Sequence, residues 1–152
     1  MNIGLHEDTI ENRHHSMKQH TEFAVKSVDT WGVTAMSEAT FTYRLTSALR
    51  KRLPDATVIK LADAYTAGLP DFFISLNGQV TFFEVKLTIN KEIFRPIQLA
   101  TLEKLVRGAY IVWDEPRKKG DVFWHEDRDF SLLFSFKELI EEVVKLVEDE
   151  SR

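Results

Sequence analysis

Asp71, Glu84 and Lys86 are the residues of this chain whose types and spacing point most directly to chemistry. Asp71 opens one apolar run, DFFISL. Glu84 and Lys86 lie in the next, QVTFFEVKL, and Asn77-Gly78 separates the two runs. An Asn-Gly pair in that position marks a two-residue hairpin, because a type I′ turn needs positive φ at both central residues. Leu76 then pairs with Gln79, and continuing the pairing sets Asp71 directly opposite Glu84 on one face of the sheet. Opposed carboxylates repel, and a hard divalent cation with oxygen ligands is the usual remedy. Lys86, two residues beyond Glu84, points to the same face. A bulge or a different turn would break this register.

Each of these residues also has a plainer reading. Asp71 follows Gly68-Leu69-Pro70 and could simply cap a turn; Pro70, with no N–H for a ladder, suits a strand entrance. Glu84 and Lys86 could form the solvated face of an edge strand. Against that, Phe82 shares their face while Phe83, Val85 and Leu87 fill the other, and charges on so apolar a strand need a reason. Glu38 falls on the apolar stripe of a first helix, where it could serve a site or only complement the helix dipole. Gln98 shares a helical stripe with Leu102 and Leu105, so it faces inward, either toward a site or bonded to backbone. Lys60 and Asp63 precede the motif and could line the cleft.

These residues need elements to position them. A helix is expected over 37–53, with Ser37 as N-cap, Pro54 just past its end, and Phe41, Leu45, Ala48, Leu49 and Leu53 on its buried stripe. Strands follow at 56–61, 71–76 and 79–87. A second helix is expected over 96–107, opened by Pro96 and closed by Gly108. Strands at 109–113 and 121–124 flank the turn EPRKKG. A last helix starts at Ser135 with a Ser-x-x-Glu capping box to Glu138, and it buries Phe136, Leu139, Ile140, Val143, Val144 and Val147. The fold class is α/β (α+β), a mixed central sheet flanked by helices in the order α-β-β-β-α-β, plus the C-terminal helix. Residues 1–36 read as an N-terminal arm, partly flexible or docking on a partner, and 37–152 as the domain. The arm carries His6, His14, His15 and His20, which fit a solvated segment better than a metal site.

The chain has 152 residues, with 43% hydrophobic and 11% aromatic content, enough for one domain with a real core rather than a disordered segment. It has no cysteine, so disulfides and Cys-based zinc sites are excluded. The polar N-terminus is unlike a secretory signal, and no apolar run reaches membrane-spanning length, so an intracellular, cytoplasmic protein is expected. The net charge of −4 does not by itself suggest a nucleic-acid partner, but its distribution does. Residues 137–152 carry −3 and residues 86–119 carry +4, so the acidity is concentrated at the C-terminus. Arg44, Arg50, Lys51 and Arg52 form a second basic group.

The series GLPDFF, then FEVK on the next strand, then Gln98 in the following helix, resembles the PD-(D/E)xK nuclease superfamily. The Gly-x-Pro-Asp form and the downstream Gln resemble most its VRR-NUC and Holliday-junction-resolvase-like branches, common in phages and in DNA repair and recombination enzymes. The resemblance spans residues 37–113 and implies a restriction-endonuclease-like core. It implies that Asp71 and Glu84 bind Mg²⁺ or Mn²⁺ with the backbone carbonyl of Val85, and that Glu38 completes the metal shell. It also implies that Lys86 orients or deprotonates the attacking water or offsets phosphorane charge, with Gln98 near the lysine and the scissile phosphate.

The function expected on this resemblance is Mg²⁺-dependent hydrolysis of DNA phosphodiesters by an endonuclease, with branched or flapped DNA as candidate substrates. Lys91 and Arg95 lie between the Glu-x-Lys strand and the Gln98 helix, placed to hold phosphates, and Arg117, Lys118 and Lys119 could extend the track. No base-reading motif is present, so shape rather than sequence would be recognised. A domain this small covers little of a duplex, which favours a homodimer or other homo-oligomer. Trp31, Trp124, Phe130 and Phe134 are candidates for its interface, with core packing as their alternative role. The rival reading is a catalytically silent structural or DNA-binding protein, such as a virion component, that keeps the nuclease fold.

Overall fold

In a computed structural model, residues 35–61, 67–90 and 92–150 are described, and every element below lies within Met36–Arg152. The expected N-terminal arm with its four histidines and Trp31, together with Asp63 and Lys91, lies outside the described residues.

The first helix, α1, runs Glu38–Arg52. Ser37 caps it by accepting the Thr40 N–H at 3.1 Å. Phe41, Leu45 and Leu49 are fully buried along its inner stripe. Thr42 and Thr46 are also buried, and each returns its hydroxyl to the carbonyl four residues back, Glu38 at 2.8 Å and Thr42 at 2.9 Å. That bond satisfies a polar group in a place where it would otherwise be costly.

Strands β1 (Thr57–Lys60), β2 (Phe72–Leu76), β3 (Gln79–Leu87), β4 (Gly108–Asp114) and β5 (Lys119–Trp124) form one sheet in that spatial order. All neighbours are antiparallel except β3 and β4, which are parallel and joined by a crossover containing helix α2, Pro96–Leu102. Helix α3, Phe136–Glu148, follows with the expected capping box between Ser135 and Glu138. The expected fold class and element order are therefore present: a mixed sheet flanked by helices. Asn77 (φ 51°) and Gly78 (φ 78°) both adopt positive φ, as a type I′ turn requires. The β2–β3 ladder has the expected register, from Leu76 opposite Gln79 to Phe72 opposite Phe83.

One sheet face packs Phe72, Ile74, Phe83, Val85, Leu87, Ala109, Ile111 and Trp113 against α1 and α3. The other packs Phe82, Tyr110, Val112 and Phe123 against Phe94, Leu99, Leu102, Phe130 and Leu132. Helix α2 stops at Leu102 rather than continuing to 107, and Gly108 opens β4 instead of closing a helix. The cause lies in Arg107. Its carbonyl accepts the Phe82 N–H at 2.9 Å, and its buried guanidinium donates to Leu146, Val147 and Asp149 carbonyls at the end of α3. Those ties draw the chain out of the helix into short turns before the strand begins. Trp124, an expected interface candidate, is a core residue with Arg107 over its ring at 5.1 Å. Phe130 stacks on Phe123 at 5.5 Å and Phe134 packs against the main core, so both have internal partners.

Candidate active site

Strand β3 outruns β2. The β2 ladder begins at Phe72 opposite Phe83, so no strand among the described residues pairs with Glu84–Leu87 on that side. Two carboxylates take the N–H groups this edge presents. Asp71 Oδ2 accepts from Val85 N at 2.7 Å, and Glu38 Oε2 accepts from Leu87 N at 3.2 Å. Glu38 Oε2 also accepts from Asn90 Nδ2 at 2.6 Å. N–H and C=O of one strand residue point to the same side, so the Val85 carbonyl faces this edge too.

Asp71 does not take the regular pairing place opposite Glu84 that the hairpin register implies. Its backbone N–H donates to Phe83 O at 2.9 Å, one step out of register, and its carbonyl accepts from Leu61 N at 2.8 Å. Pro70, buried and without an N–H, ends the ladder just before it. The consequence is that the Asp71 side chain turns to the edge instead of standing squarely on the face. Gly68, at φ 88°, lets this loop lie against α2: a Cβ there would meet Ile97 Cγ1 at 3.0 Å and Thr101 Oγ1 at 3.1 Å.

Glu84 and Lys86 share the α2 face of β3 as expected. Lys86 Nζ lies 2.7 Å from Glu84 Oε1, and their side chains are only 6% and 2% exposed. Gln98, in the first turn of α2, donates from Nε2 to the same Glu84 oxygen. Burial raises the Glu84 carboxyl to about 7, and the Asp71 charge adds to the rise while Lys86 opposes it. Burial raises Asp71 as well, opposed by the Val85 N–H and by Lys86. Both acids are thus held at a cost in their ionised forms, and one lysine does not fully offset them.

Among the described residues, no three His, Cys, Asp or Glu side chains converge closely enough to hold a metal ion alone. The donor chemistry still suits a hard cation. Asp71, Glu84 and the Val85 carbonyl are oxygen donors at one strand end, and Mg²⁺ commonly takes one or two carboxylates and keeps several waters. The raised carboxyls favour a positive neighbour beyond Lys86.

The basic residues divide. Lys60 ends β1, is exposed, and lowers the Asp71 carboxyl by its charge. Arg95 is exposed at the N-cap of α2, making no side-chain capping bond. Arg117 and Lys118 sit in the β4–β5 turn, where they pair with Asp114 and Glu115. Lys119 acts on Glu138 at the start of α3. Arg107 and Lys86, counted in the basic segment, are buried.

Two neighbours of the site escaped sequence reasoning. Asn90 sits just past β3 and holds Glu38. Tyr110 lies beside Glu84 in the β3–β4 ladder and is fully buried. Parallel register leaves no turn signal to count from, so nothing in the sequence paired Tyr110 with Glu84.

No protein-family model and no curated protein sequence matches the chain. Among solved structures, the chain is similar to a Holliday junction resolvase of Archaeoglobus fulgidus, an archaeal hyperthermophile. The identity is 19%, over 57% of this chain and 81% of the other, with a TM-score of 0.41.

Proposed function

We propose that this chain is a metal-dependent nuclease that hydrolyses DNA phosphodiester bonds. The observation that carries the reading is the Glu84–Lys86 pair, buried on a central strand with Gln98 on the same carboxylate, beside an open edge where Asp71 and Glu38 stand. A buried acid–base pair on a hydrophobic sheet is an expensive way to gain stability. Asp71, Glu84 and the Val85 carbonyl would hold Mg²⁺ or Mn²⁺, which when bound lowers the pKa of water and polarises a phosphoryl oxygen.

The chain's own groups supply the rest. Lys86 brings a point charge to an entering phosphate, and releasing Glu84 from that ion pair frees the carboxylate for another cation. Gln98 fixes which Glu84 oxygen is engaged. Asp71 and Glu38 hold the strand edge so that these donors keep their spacing. Lys60 and Arg95 would meet flanking phosphates. DNA is the proposed partner inside the cell. A second copy of the chain would widen the contact with a duplex, and the mass in solution tests for it.

The purified chain is incubated with linear, circular, single-stranded and four-way-junction DNA, with Mg²⁺, Mn²⁺ or EDTA. Cleavage that needs the metal and is lost in a folded Glu84→Ala variant supports the reading. DNA binding without cutting under every condition would overturn it in favour of a silent DNA-binding protein.

A further inference from the structure

Among the described residues, two buried side-chain polar atoms lack a hydrogen-bond partner: Gln98 Oε1 and the Tyr110 hydroxyl. Each belongs to a neighbour of Glu84. Gln98 donates to the Glu84 carboxylate through its other amide atom, and Tyr110 is the register partner of Glu84 on β4. An orphan of this kind keeps its full desolvation penalty, and native structures hold few of them. Here one orphan is an acceptor and the other can donate.

The phenol is protonated and fixed in place. Burial and the Glu84 charge push its pKa up to about 12. Phe94 meets the ring edge-on at 5.1 Å, and Phe123 stacks on it at 5.9 Å. The hydroxyl therefore cannot swing far to seek an acceptor; a partner must reach it. The Gln98 amide is oriented by the carboxylate, which accepts only from Nε2 and so turns Oε1 away. A buried water needs two to four polar partners. Gln98 reaches Glu84 through its amide, and Tyr110 flanks Glu84 across the β3–β4 ladder, so both orphans belong to side chains that adjoin the same carboxylate.

We propose that Tyr110 is a positioning residue of this site: through one buried water its hydroxyl holds Gln98 Oε1, and so keeps Gln98 Nε2 on Glu84. The proposal rests on Glu84 being the centre of the site, and adds a group that acts through Gln98 without touching substrate. The water donates one hydrogen to Gln98 Oε1 and accepts the phenolic hydrogen. Loss of the hydroxyl then frees the amide to rotate and loosens the carboxylate that the reaction needs.

The test is a double-mutant cycle on the metal-free protein, read by thermal melting, with Tyr110→Phe and Gln98→Met. Tyr110→Phe should lower the melting temperature by about 3 °C in the wild-type background and by less than about 1 °C in the Gln98→Met background. A rise or no change in the wild-type background would mean the hydroxyl is idle, and would overturn the proposal. An equal fall in both backgrounds would give the hydroxyl a different partner, and would overturn it too. These melts need no activity, so they decide the question even if the chain does not cut DNA. Where wild type cuts, Tyr110→Phe should lower kcat roughly tenfold with KM unchanged. An unaltered kcat would show that the hydroxyl does not position the reacting groups.

Discussion

The Asp71 carboxylate accepts the Val85 backbone N–H at 2.7 Å, so a side chain stands where β2 would have continued the ladder along β3. This gives Asp71 two separable roles. Its oxygen satisfies an edge donor, and its charge strains Glu84.

Substitution should separate those roles. Asp71→Asn keeps an acceptor for Val85 and removes the charge, so in EDTA at neutral pH it should stabilise the protein by about 1 kcal/mol. Asp71→Ala removes the acceptor as well and should destabilise relative to Asp71→Asn by roughly 1–3 kcal/mol. Urea denaturation of the three proteins measures both differences. Equal stability of the Asn and Ala variants would mean the edge bond contributes nothing.

The Glu84 carboxyl, raised to about 7 from an ordinary 4.5, makes stability depend on pH in a defined direction. The folded state binds this proton more tightly than the unfolded chain does. Its contribution is therefore fully present below about pH 4.5 and is lost as pH rises through about 7. The loss is on the order of 3 kcal/mol, at about 1.36 kcal/mol per pH unit. Asp71, also raised, acts with the same sign. Melting in EDTA between pH 4 and 8 should show wild type losing more stability than Glu84→Gln across this window. Millimolar Mg²⁺ or Mn²⁺ should restore part of the loss in wild type alone. Parallel pH curves for the two proteins would show that Glu84 is not the strained group.

Local signals made much of this architecture legible in the sequence. Asn77-Gly78 determined the β2–β3 register, Ser37 and Ser135 marked helix starts, and the alternation in QVTFFEVKL placed Glu84 and Lys86 together on one face. Long-range packing was not legible. Residues 103–107 continue a helical pattern, yet they turn because Arg107 is tied to the far end of α3, some forty positions along the chain. Asp71 missed its place opposite Glu84 because the ladder ends at Phe72 and its backbone bonds to Leu61 and Phe83 instead. A residue-by-residue count of charge overstated the basic surface, since burial of Lys86 and Arg107 depends on tertiary contacts.

Arg107 should matter for stability and not for DNA. Its guanidinium donates to Thr81 Oγ1 at 3.0 Å and to three carbonyls at the end of α3. Arg107→Met keeps the stem and leaves those carbonyls without the donor, at a cost of roughly 2–4 kcal/mol. Denaturation checks the loss. The salt dependence of DNA binding, measured well below the variant's melting temperature, should be unchanged. A flattened slope would mean that Arg107 reaches a phosphate after all.

The remaining bases should contribute unequally to DNA binding. Each phosphate contact that is lost lowers the magnitude of the salt slope by roughly 0.9 for duplex DNA, and does so on every sequence alike. Lys60 is exposed near Asp71, and Arg95 is exposed at the start of the helix that carries Gln98. Arg117 and Lys118 already answer Asp114 and Glu115 within their own turn, so removing them discards a charge that is largely offset locally. Lys60→Ala with Arg95→Ala should flatten the slope by about 2 and weaken binding uniformly across sequences. Arg117→Ala with Lys118→Ala should change it by less than half as much. Fluorescence anisotropy between 50 and 200 mM salt, in Ca²⁺ to hold back cleavage, compares the two double variants directly. If the turn pair carries the larger change, the DNA lies across the β4–β5 turn rather than over the ends of β1 and α2.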